Sequence, residues 1–390
     1  MKLSPWLVAS LAVICVHLAC LAPQNTRAQD AATNSEEVAP VERWRSTGAM
    51  AVRREYAGGV RLKDGRILAV SGHPLGGRSI ASAELYDPKT KEWTDTGSLR
   101  QPRNSGNAAT LLPDGRVLVA GGHSKSKAIR GSELFDPVAS KWSDTGNLSV
   151  GRDPVATLLA DGRVLAAGGI DWYSDSGRKV YDLAEIYDSK RGKWTTTGSL
   201  HTARSNHRSE RLDDGRVLAV GGYGQRGAPL ASAELFDPST GKWQTTDRLA
   251  LPRAWFGLVK LLDGRVLVVG GYTGSSSMRT YLASAAIYDA KRGRWSETRP
   301  MTAKRAGFSI TLLADGRVLV AGGVAETGDE LDSAELFDPR ADSWRPIAPM
   351  IVARRNHRAA LLPDGGVLVM GGSILFGNNY LNSCEILTLR

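Results

Sequence analysis

The chain has 390 residues, of which 42% are hydrophobic and 43 are glycine, and its formal net charge is +10. This composition excludes a largely disordered polymer and is typical of a globular all-β protein with many tight turns. After residue 28 no apolar run approaches the roughly 20 residues that cross a bilayer, so we expect no transmembrane helix. The basic excess hints at an anionic partner, and we expect no nucleic-acid partner.

The first 28 residues have the pattern of a secretory signal. A basic residue near the start is followed by an apolar run and then by small and polar residues, and we expect cleavage after Ala28. This predicts a periplasmic or extracellular (secreted) protein. The tripeptide ending at Cys20 also resembles the lipoprotein processing site of bacteria, but His17 stands where that motif has an aliphatic residue. A lipid anchor at Cys20 is therefore the alternative.

Residues 29–40 are small and polar, and we interpret them as a flexible leader. Cys15 and Cys20 lie in the signal, so Cys384 is the single thiol of the mature chain and no internal disulfide is expected. From residue 41 to residue 390 the sequence repeats, and we interpret this region as one domain. We expect the protein to be a monomer.

The repeat is clearest at residues 114–122, where Asp-Gly-Arg-Val-Leu-Val-Ala-Gly-Gly joins a turn to a short apolar run that ends at two glycines. Seven copies occur at a spacing of about fifty residues, which is the signature of a β-propeller or a solenoid. The residue pairs that end the copies are Ser71-Gly72, Gly121-Gly122, Gly168-Gly169, Gly221-Gly222, Gly270-Gly271, Gly322-Gly323 and Gly371-Gly372.

One repeat predicts four antiparallel strands. An apolar strand precedes the Asp-Gly turn, which favours a hairpin because glycine adopts the positive φ of a tight turn. The second strand, 116–120, is a nearly continuous apolar run, which indicates that both of its faces are covered. A third strand ends at the turn of Asp136, and a fourth strand begins at Trp142.

The glycine pair, the aromatic-Asp-Pro turn and the spaced tryptophan make this unit resemble a kelch repeat over residues 41–390. The resemblance implies an all-β, seven-bladed β-propeller with four-stranded antiparallel blades. The last copy is followed only by a third strand, 383–387, whereas Trp44 precedes the first copy. We therefore predict that residues 44–50 supply the fourth strand of blade seven and close the ring.

An arginine follows the end of each fourth strand by four residues. Residues that enter strand one and residues that follow the glycine pair share one face of the disc, so we expect these arginines to surround the mouth of the central channel. They are Arg54, Arg103, Arg152, Arg204, Arg253, Arg305 and Arg354. Two roles are open for them: they brace blades by bonding carbonyls or acidic side chains, or they form an anion-binding funnel.

Kelch propellers that capture acidic peptides or acidic sugars use arginines at this position, so the resemblance implies an anionic glycan or an acidic protein segment as the ligand. The neighbours of the arginines differ between blades, and aromatic faces beside amides suit stacking on a sugar or a peptide. We add these neighbours to the predicted binding site: Asn206, His207, Trp255, Phe308, Asn356 and His357. The alternative for the aromatic side chains is that they cap the channel.

Two enzymatic alternatives follow from the resemblance. Sialic-acid mutarotases are exported kelch propellers that use arginines and an acid/base residue, and here Asp153 or His207 could transfer the proton. Copper-radical oxidases similar to galactose oxidase need two tyrosines, two histidines and a cysteine linked to a tyrosine, but Cys384 lies within a predicted strand. His73 and His123 follow the glycine pairs of adjacent blades without a nearby carboxylate or thiol. We predict a binding module without metal or cofactor.

Glutamates recur on strand three and arginines recur on strand two, and we expect them to form inter-strand ion pairs rather than a catalytic set. The glutamates are Glu84, Glu133, Glu185, Glu234, Glu335 and Glu385, and the arginines are Arg66, Arg116, Arg163, Arg216, Arg265 and Arg317. Ala286 and Gly366 interrupt the two series. Loops at 171–175 and 272–279 are longer than their counterparts and could overhang the channel mouth.

Overall fold

The structure is a computed structural model that describes residues 42–73, 79–104, 108–124, 127–175, 177–275, 278–374 and 379–389. The described elements are β-strands, and they form seven antiparallel sheets that are the blades of a propeller. Within these ranges there is no helix long and apolar enough to span a bilayer. The predicted signal and leader lie outside the described residues.

The four strands of each blade are numbered from the inner to the outer strand. Blade one contains Gly58–Arg61, Ile67–Val70, Ile80–Asp87 and Glu92–Arg103. Blade two contains Ala109–Leu111, Val117–Ala120, Ser132–Asp136 and Lys141–Thr145. Blade three contains Asp153–Leu158, Val164–Asp171, Ala184–Asp188 and Lys193–Thr196. Blade four contains Arg208–Arg211, Val217–Val220, Ala233–Asp237 and Lys242–Thr245.

The remaining three blades repeat this order. Blade five contains Gly257–Lys260, Val266–Val269, Ala285–Asp289 and Arg294–Thr298. Blade six contains Ser309–Leu312, Val318–Ala321, Ala334–Asp338 and Ser343–Ile347. Blade seven contains Arg358–Leu361, Val367–Met370, Cys384–Thr388 and, from the other end of the chain, Arg43–Thr47.

Short strands extend some blades beyond their glycine pairs. Three of these extensions are hairpins: His123–Ser124 with Lys127–Ala128, Tyr272–Gly274 with Arg279–Tyr281, and Ser373–Ile374 with Asn379–Tyr380. In blade three, Lys179–Val180 pairs with the end of the second strand. These extensions therefore make the face that carries the glycine pairs more varied than the opposite face.

The core lies between the blades. All four residues of the second strand are buried in six blades, and in blade three the long second strand is buried up to Ile170, which confirms that both faces are covered. The inner strands of neighbouring blades pack side by side in a closed circle around the channel. Near the rim, an aromatic residue of the third strand packs on the tryptophan of the fourth, as Phe236 does on Trp243 with ring centroids 5.1 Å apart.

The closing strand, Arg43–Thr47, pairs with Cys384–Thr388 in the last blade, as predicted. Trp44 lies opposite Leu387 and is only 5% exposed. Its indole Nε1 donates a hydrogen bond of 2.8 Å to the carbonyl oxygen of Ala348 in blade six. The N-terminal strand therefore completes the ring by backbone pairing, apolar packing and an inter-blade hydrogen bond.

The glycine pairs allow the blades to approach closely. The amide of the second glycine donates to the carbonyl oxygen of the arginine that enters the next blade, as in Gly122 to Arg152 at 2.8 Å. The same bond occurs between Gly372 and Arg54, where the ring closes. At Gly121, with φ of +63°, a Cβ atom would lie 2.4 Å from the carbonyl oxygen of Arg152, so a side chain does not fit there.

Candidate functional site at the channel mouth

On one face of the disc, as predicted, the segments that follow the arginines lie beside the segments that follow the glycine pairs. The residue after an arginine of the series forms a β-bridge with the residue after the glycine pair of the same blade. The pairs are Glu55 with His73, Asn104 with His123, Ser205 with Tyr223, Ala254 with Tyr272, Ala306 with Val324 and Arg355 with Ser373. The side chains that follow the arginines and those that follow the glycine pairs therefore share one surface.

The arginines themselves lie inside the blades, as Arg204 illustrates. Its guanidinium donates to the carbonyl oxygens of Gly221 and Ser232, each at 3.0 Å, and to a carboxylate oxygen of Glu234 at 2.6 Å. Glu234 also accepts from the backbone amides of His201 and Thr202, at 2.7 and 3.1 Å. We call this arrangement a bracket, because it joins the segment between two blades to the strands of the second blade.

The bracket recurs in six of the seven blades. Each of these arginines is at most 1% exposed and forms an ion pair of 2.5 to 2.8 Å with the glutamate of the third strand. Burial lowers the pKa of Arg204, and Glu234 opposes this effect. The pairs are Arg54–Glu84, Arg103–Glu133, Arg152–Glu185, Arg204–Glu234, Arg305–Glu335 and Arg354–Glu385.

The seven arginines are buried instead of displayed around the channel mouth, and of the two roles left open for them they take the first. Their guanidinium groups brace the blades by bonding carbonyls and, in six cases, carboxylates. A second expectation needs correction. The glutamates of the third strand do not pair with the arginines of the second strand. Those arginines pair instead with the aspartate of their own Asp-Gly turn, as Arg216 does with Asp214 at 2.6 Å.

The channel mouth is lined by residues two positions after the arginines. Tyr56, Asn206, Trp255 and Asn356 have positive φ values of 53°, 49°, 59° and 52°, and Gly307 occupies the equivalent position in blade six. Positive φ is uncommon for residues other than glycine, above all for large aromatic residues, and it is concentrated at functional sites. Asparagine adopts this conformation more readily, so it is the positive φ of Tyr56 and Trp255 that marks the mouth as a candidate site.

A cavity of about 280 Å³ lies at this mouth. Tyr56 and Trp255 contribute an edge-to-face pair with ring centroids 5.6 Å apart, and Asn206 and Asn356 contribute amides. The Asn356 amide nitrogen donates to the Tyr56 hydroxyl at 2.9 Å. The mouth therefore combines aromatic faces with hydrogen-bonding groups.

Three ionisable side chains of the inner strands line the same cavity: Asp153, Arg208 and Arg358. The pKa of Arg358 is lowered to about 10, mainly by burial and also by the charge of Arg208, while Asp153 opposes the decrease. Burial raises the pKa of Asp153 to about 7, although Arg358 acts in the other direction. Its Oδ1 has no hydrogen-bond partner among the described residues. At neutral pH the cavity therefore holds two cations and a carboxyl group that is partly protonated.

His73 and His123 lie side by side at the edge of the cavity, with ring centroids 6.2 Å apart. His73 contacts Tyr56, and His123 contacts Tyr173, at 6.5 and 6.1 Å between centroids. Burial lowers the pKa of both imidazoles, that of His123 to about 4, so both are neutral at pH 7. Among the described residues no three His, Cys, Asp or Glu side chains come together as a metal site would require.

The residues three positions after the arginines have a packing role. His207 is fully buried, and its ring lies against Gly168 of the preceding blade. His357 packs in the same way on Gly322 and hydrogen-bonds the Ser309 hydroxyl at 2.9 Å, and Phe308 packs on Gly270. His357 and Phe308 form part of the cavity wall, whereas His207 is not among its lining residues.

A groove of about 560 Å³ continues from the mouth across blades three to seven. Its walls carry Tyr223, Tyr272, Tyr281 and four arginines, Arg178, Arg226, Arg279 and Arg355. Arg279 lies over the Tyr272 ring with 4.7 Å between the guanidinium carbon and the centroid, and Arg178 lies 5.5 Å from the Trp172 ring. The two longer loops identified in the sequence supply Trp172 and Arg279, so both contribute to this surface.

In the sequence, Arg208 and Arg358 stand out only as blade-specific neighbours of the arginine series, and the predicted binding site does not include them. Both lie four positions after an arginine of the series, at the start of an inner strand. The equivalent residues are Gly58, Gly257 and Ser309 in blades one, five and six. Only blades four and seven have a cation at this position. A comparison of the position across the seven repeats would therefore have identified Arg208 and Arg358 as candidate site residues.

The fold and the repeats define the class of this chain, which is a seven-bladed β-propeller. Its sequence matches the Kelch motif over residues 212–246, 261–302 and 312–351, which correspond to blades four, five and six. The kelch match therefore covers three of the seven repeats. No curated protein sequence matches the chain at a significant level.

One similar solved structure is that of a "Novel fungal alcohol oxidase with catalytic diversity among the AA5 family, in complex with copper". The superposition has a TM-score of 0.73 and covers 90% of this chain and 76% of the fungal chain. The two sequences are 19% identical, so the likeness concerns the fold alone.

Proposed function

We propose that this kelch propeller is an exported binding module that recognises an anionic ligand, an acidic glycan or an acidic protein segment, at the channel mouth. The observation that carries the proposal is the presence of Arg208 and Arg358 in one cavity beneath Tyr56 and Trp255. Guanidinium groups suit carboxylate, sulfate and phosphate oxygens, and the aromatic rings suit stacking. Export is part of the proposal and rests on residues 1–28.

The cavity favours an anion over a neutral ligand. Among the described residues that line the cavity there are two arginines and one carboxyl group, and the raised pKa of Asp153 reduces its negative charge near pH 7. A protonated Asp153 can donate a hydrogen bond to an oxyanion, which its ionised form cannot do. The amides of Asn206 and Asn356 add hydrogen-bonding groups that orient the ligand.

The ligand that we propose is larger than one sugar or one amino acid. Tyr56, Trp172, Asn206, Trp255 and Asn356 line both the mouth cavity and the groove, so the two spaces are continuous. The groove adds arginines and tyrosines along its walls. A terminal anionic unit in the cavity, followed by further units along the groove, would use both surfaces.

Replacing Arg208 or Arg358 by alanine is expected to weaken binding of an acidic sugar or acidic peptide by roughly 10- to 100-fold, because each loses a charge-assisted hydrogen bond worth about 1.5–3 kcal/mol. Calorimetry with a panel of oligosaccharides that contain uronic acid or sialic acid, and with Asp/Glu-rich peptides, measures this. Arg265→Ala, at an exposed Asp-Gly turn, is the matched control and should bind normally. Unchanged affinity in both cavity variants would contradict the proposal.

A second function, a cofactor-free carbohydrate enzyme resembling a sialic-acid mutarotase, is favoured by Asp153. Its carboxyl group lines the cavity, has a pKa of about 7, and has an oxygen without a partner among the described residues. A group with a pKa near the working pH is suited to proton transfer. Exchange between the anomers of an acidic sugar, followed by NMR, would support this function, and its loss in Asp153→Asn would assign the group.

The affinity for an anion is expected to fall as the pH rises through about 7. Asp153 is protonated below its pKa of about 7 and negatively charged above it, so the ionised form repels the ligand. The loss should approach about tenfold per pH unit above pH 7. Arg358 keeps its charge over this range, since its pKa is about 10, and His123 stays neutral. Titrations between about pH 6 and 8 test this, and Asp153→Asn should remove the part of the pH dependence that Asp153 causes. Glu210, whose pKa burial also raises to about 7 and which interacts with Arg208, accounts for any remainder.

We do not carry the copper of the fungal oxidase over to this chain. Cys384 is 1% exposed, lies within the third strand of blade seven, and packs in a cluster with Tyr86 and Met370. Burial raises the pKa of its thiol to about 12. A cysteine in this position does not fit a thioether-linked tyrosine at the channel mouth, so we derive no step through copper.

A further inference from the structure

Blade five has the arginine of the bracket without its glutamate. Ala286 stands where the other blades have the glutamate of the third strand, and like Glu234 it lies opposite the third residue of the second strand. Arg253 is nevertheless 3% exposed, and its guanidinium donates to the carbonyl oxygens of Gly270 and Ser284, at 3.2 and 3.1 Å. Its position therefore matches that of Arg204 in blade four.

The backbone donors of the bracket are also present in blade five. In blade six, Glu335 accepts from the amides of Thr302 and Ala303, three and two residues before the arginine, at 2.7 and 3.1 Å. The equivalent amides in blade five are those of Ala250 and Leu251. Neither has a hydrogen-bond acceptor among the described residues. A buried cation and two backbone donors thus converge where the other blades place a carboxylate.

The nearest acidic side chain does not replace the missing glutamate. Glu297 lies directly opposite Ala286 on the outer strand, and it is the one charge that opposes the effect of burial on the pKa of Arg253. Its side chain is exposed, and the hydrogen bonds of the Arg253 guanidinium in the described structure go to Gly270 and Ser284 instead. Burial still lowers the pKa of Arg253 to about 10, in keeping with a cation whose charge is incompletely balanced.

We propose that blade five binds a small monovalent anion, chloride or a carboxylate of the size of formate, between the Arg253 guanidinium and the amides of Ala250 and Leu251. The anion takes the place of the glutamate carboxylate, since Ala286 ends at its methyl group and is itself 6% exposed. Convergent N–H groups beside a cation are a recurrent anion site.

An anion bound at this site would fix the position of a residue that lines the channel mouth. Trp255 is two residues after Arg253 and lines both the mouth cavity and the groove. In the other blades the carboxylate holds the equivalent segment to the third strand, as Glu234 does for His201 and Thr202. A bound anion would therefore hold the segment that carries Trp255.

The test is the melting temperature of the wild-type protein in sodium chloride or sodium formate, compared with sodium gluconate at the same ionic strength. Gluconate is too large for a site of one carboxylate. A ligand that binds only the folded protein stabilises it by mass action, so we expect a rise of about 2 °C or more in chloride or formate. Equal melting temperatures in the three salts would overturn the proposal.

Two variants test whether the rise in melting temperature comes from an anion bound in blade five. Ala286→Glu supplies a carboxylate of its own, so it should melt higher than the wild type in gluconate and lose most of the response to chloride and formate; Ala286→Gln, of the same size without the charge, should gain less. An unchanged response in Ala286→Glu would show that the anion binds elsewhere and would overturn the assignment.

Glu234→Ala provides a second and independent test, because it recreates the arrangement of blade five in blade four. This variant should melt lower than the wild type in gluconate and recover part of the loss in formate or chloride, beyond the response of the wild type. If it recovers nothing while remaining folded, a bracket without its glutamate does not bind small anions, and the proposal fails. This result decides the matter even if Ala286→Glu does not fold.

Discussion

Replacing Arg204 by alanine is expected to lower the free energy of unfolding by about 3–5 kcal/mol, because the change leaves the Glu234 carboxylate buried without its cation. Arg204 is fully buried, and its guanidinium also satisfies the carbonyl oxygens of Gly221 and Ser232. These carbonyls would lose their donors in the variant, which adds to the cost. Urea denaturation, followed by tryptophan fluorescence, measures the change.

Two variants of the same type serve as controls. Arg216→Ala breaks an ion pair with Asp214 in which both side chains are at least one third exposed, so it should cost less than about 1 kcal/mol. Arg253→Ala should cost less than Arg204→Ala, since no glutamate of the third strand is left unpaired in blade five. Equal losses for Arg204→Ala and Arg216→Ala would mean that the bracket contributes no more than a surface ion pair.

Deleting residues 41–50 is expected to cause aggregation or a large loss of stability, because it removes the outer strand of the last blade. The backbone of Cys384–Thr388 would then become an open edge, which is a template for pairing with another chain. The deletion also removes Trp44 and Met50, which are 5% and 1% exposed. Light scattering and the melting temperature report the two effects.

The matched deletion removes residues 29–40, the predicted leader, and should change neither measurement. Trp44→Ala separates packing from backbone pairing, since it keeps the strand but loses the indole and its bond to Ala348, and we expect it to cost about 3–5 kcal/mol. If the two deletions melt at the same temperature, the N-terminal strand does not stabilise the ring.

The fold could be predicted from the sequence because its signals recur seven times. The glycine pairs and the strand-four tryptophans repeat in register, and the missing last strand points to Trp44. Each copy thus tests the interpretation of the others. The count of blades, their four strands and the closure follow without knowledge of any side-chain contact.

The roles of the charged residues could not be predicted to the same depth. The series of Arg204 and the series of Glu234 are both visible in the sequence, but the sequence does not state which arginine reaches which glutamate. Sequence proximity favoured neighbouring strands, whereas the structure joins residues 30 positions apart through the buried face of the blade. The strict repetition of these arginines in every blade indicates a structural role. The residues of a specific binding site differ between blades, and Arg208, Arg358 and Asp153 are residues of this second kind.

The pairing of the two chain ends sets how the propeller responds to mechanical load. Arg43 lies opposite Thr388, and Thr47 lies opposite Cys384, so a force that pulls the two termini apart acts first on the outermost pair. Hydrogen bonds between antiparallel strands are perpendicular to the strands, so this geometry opens them one after another instead of shearing them together. Tension between the termini would thus unzip the closing strand from blade seven before it loads the other three strands of that blade.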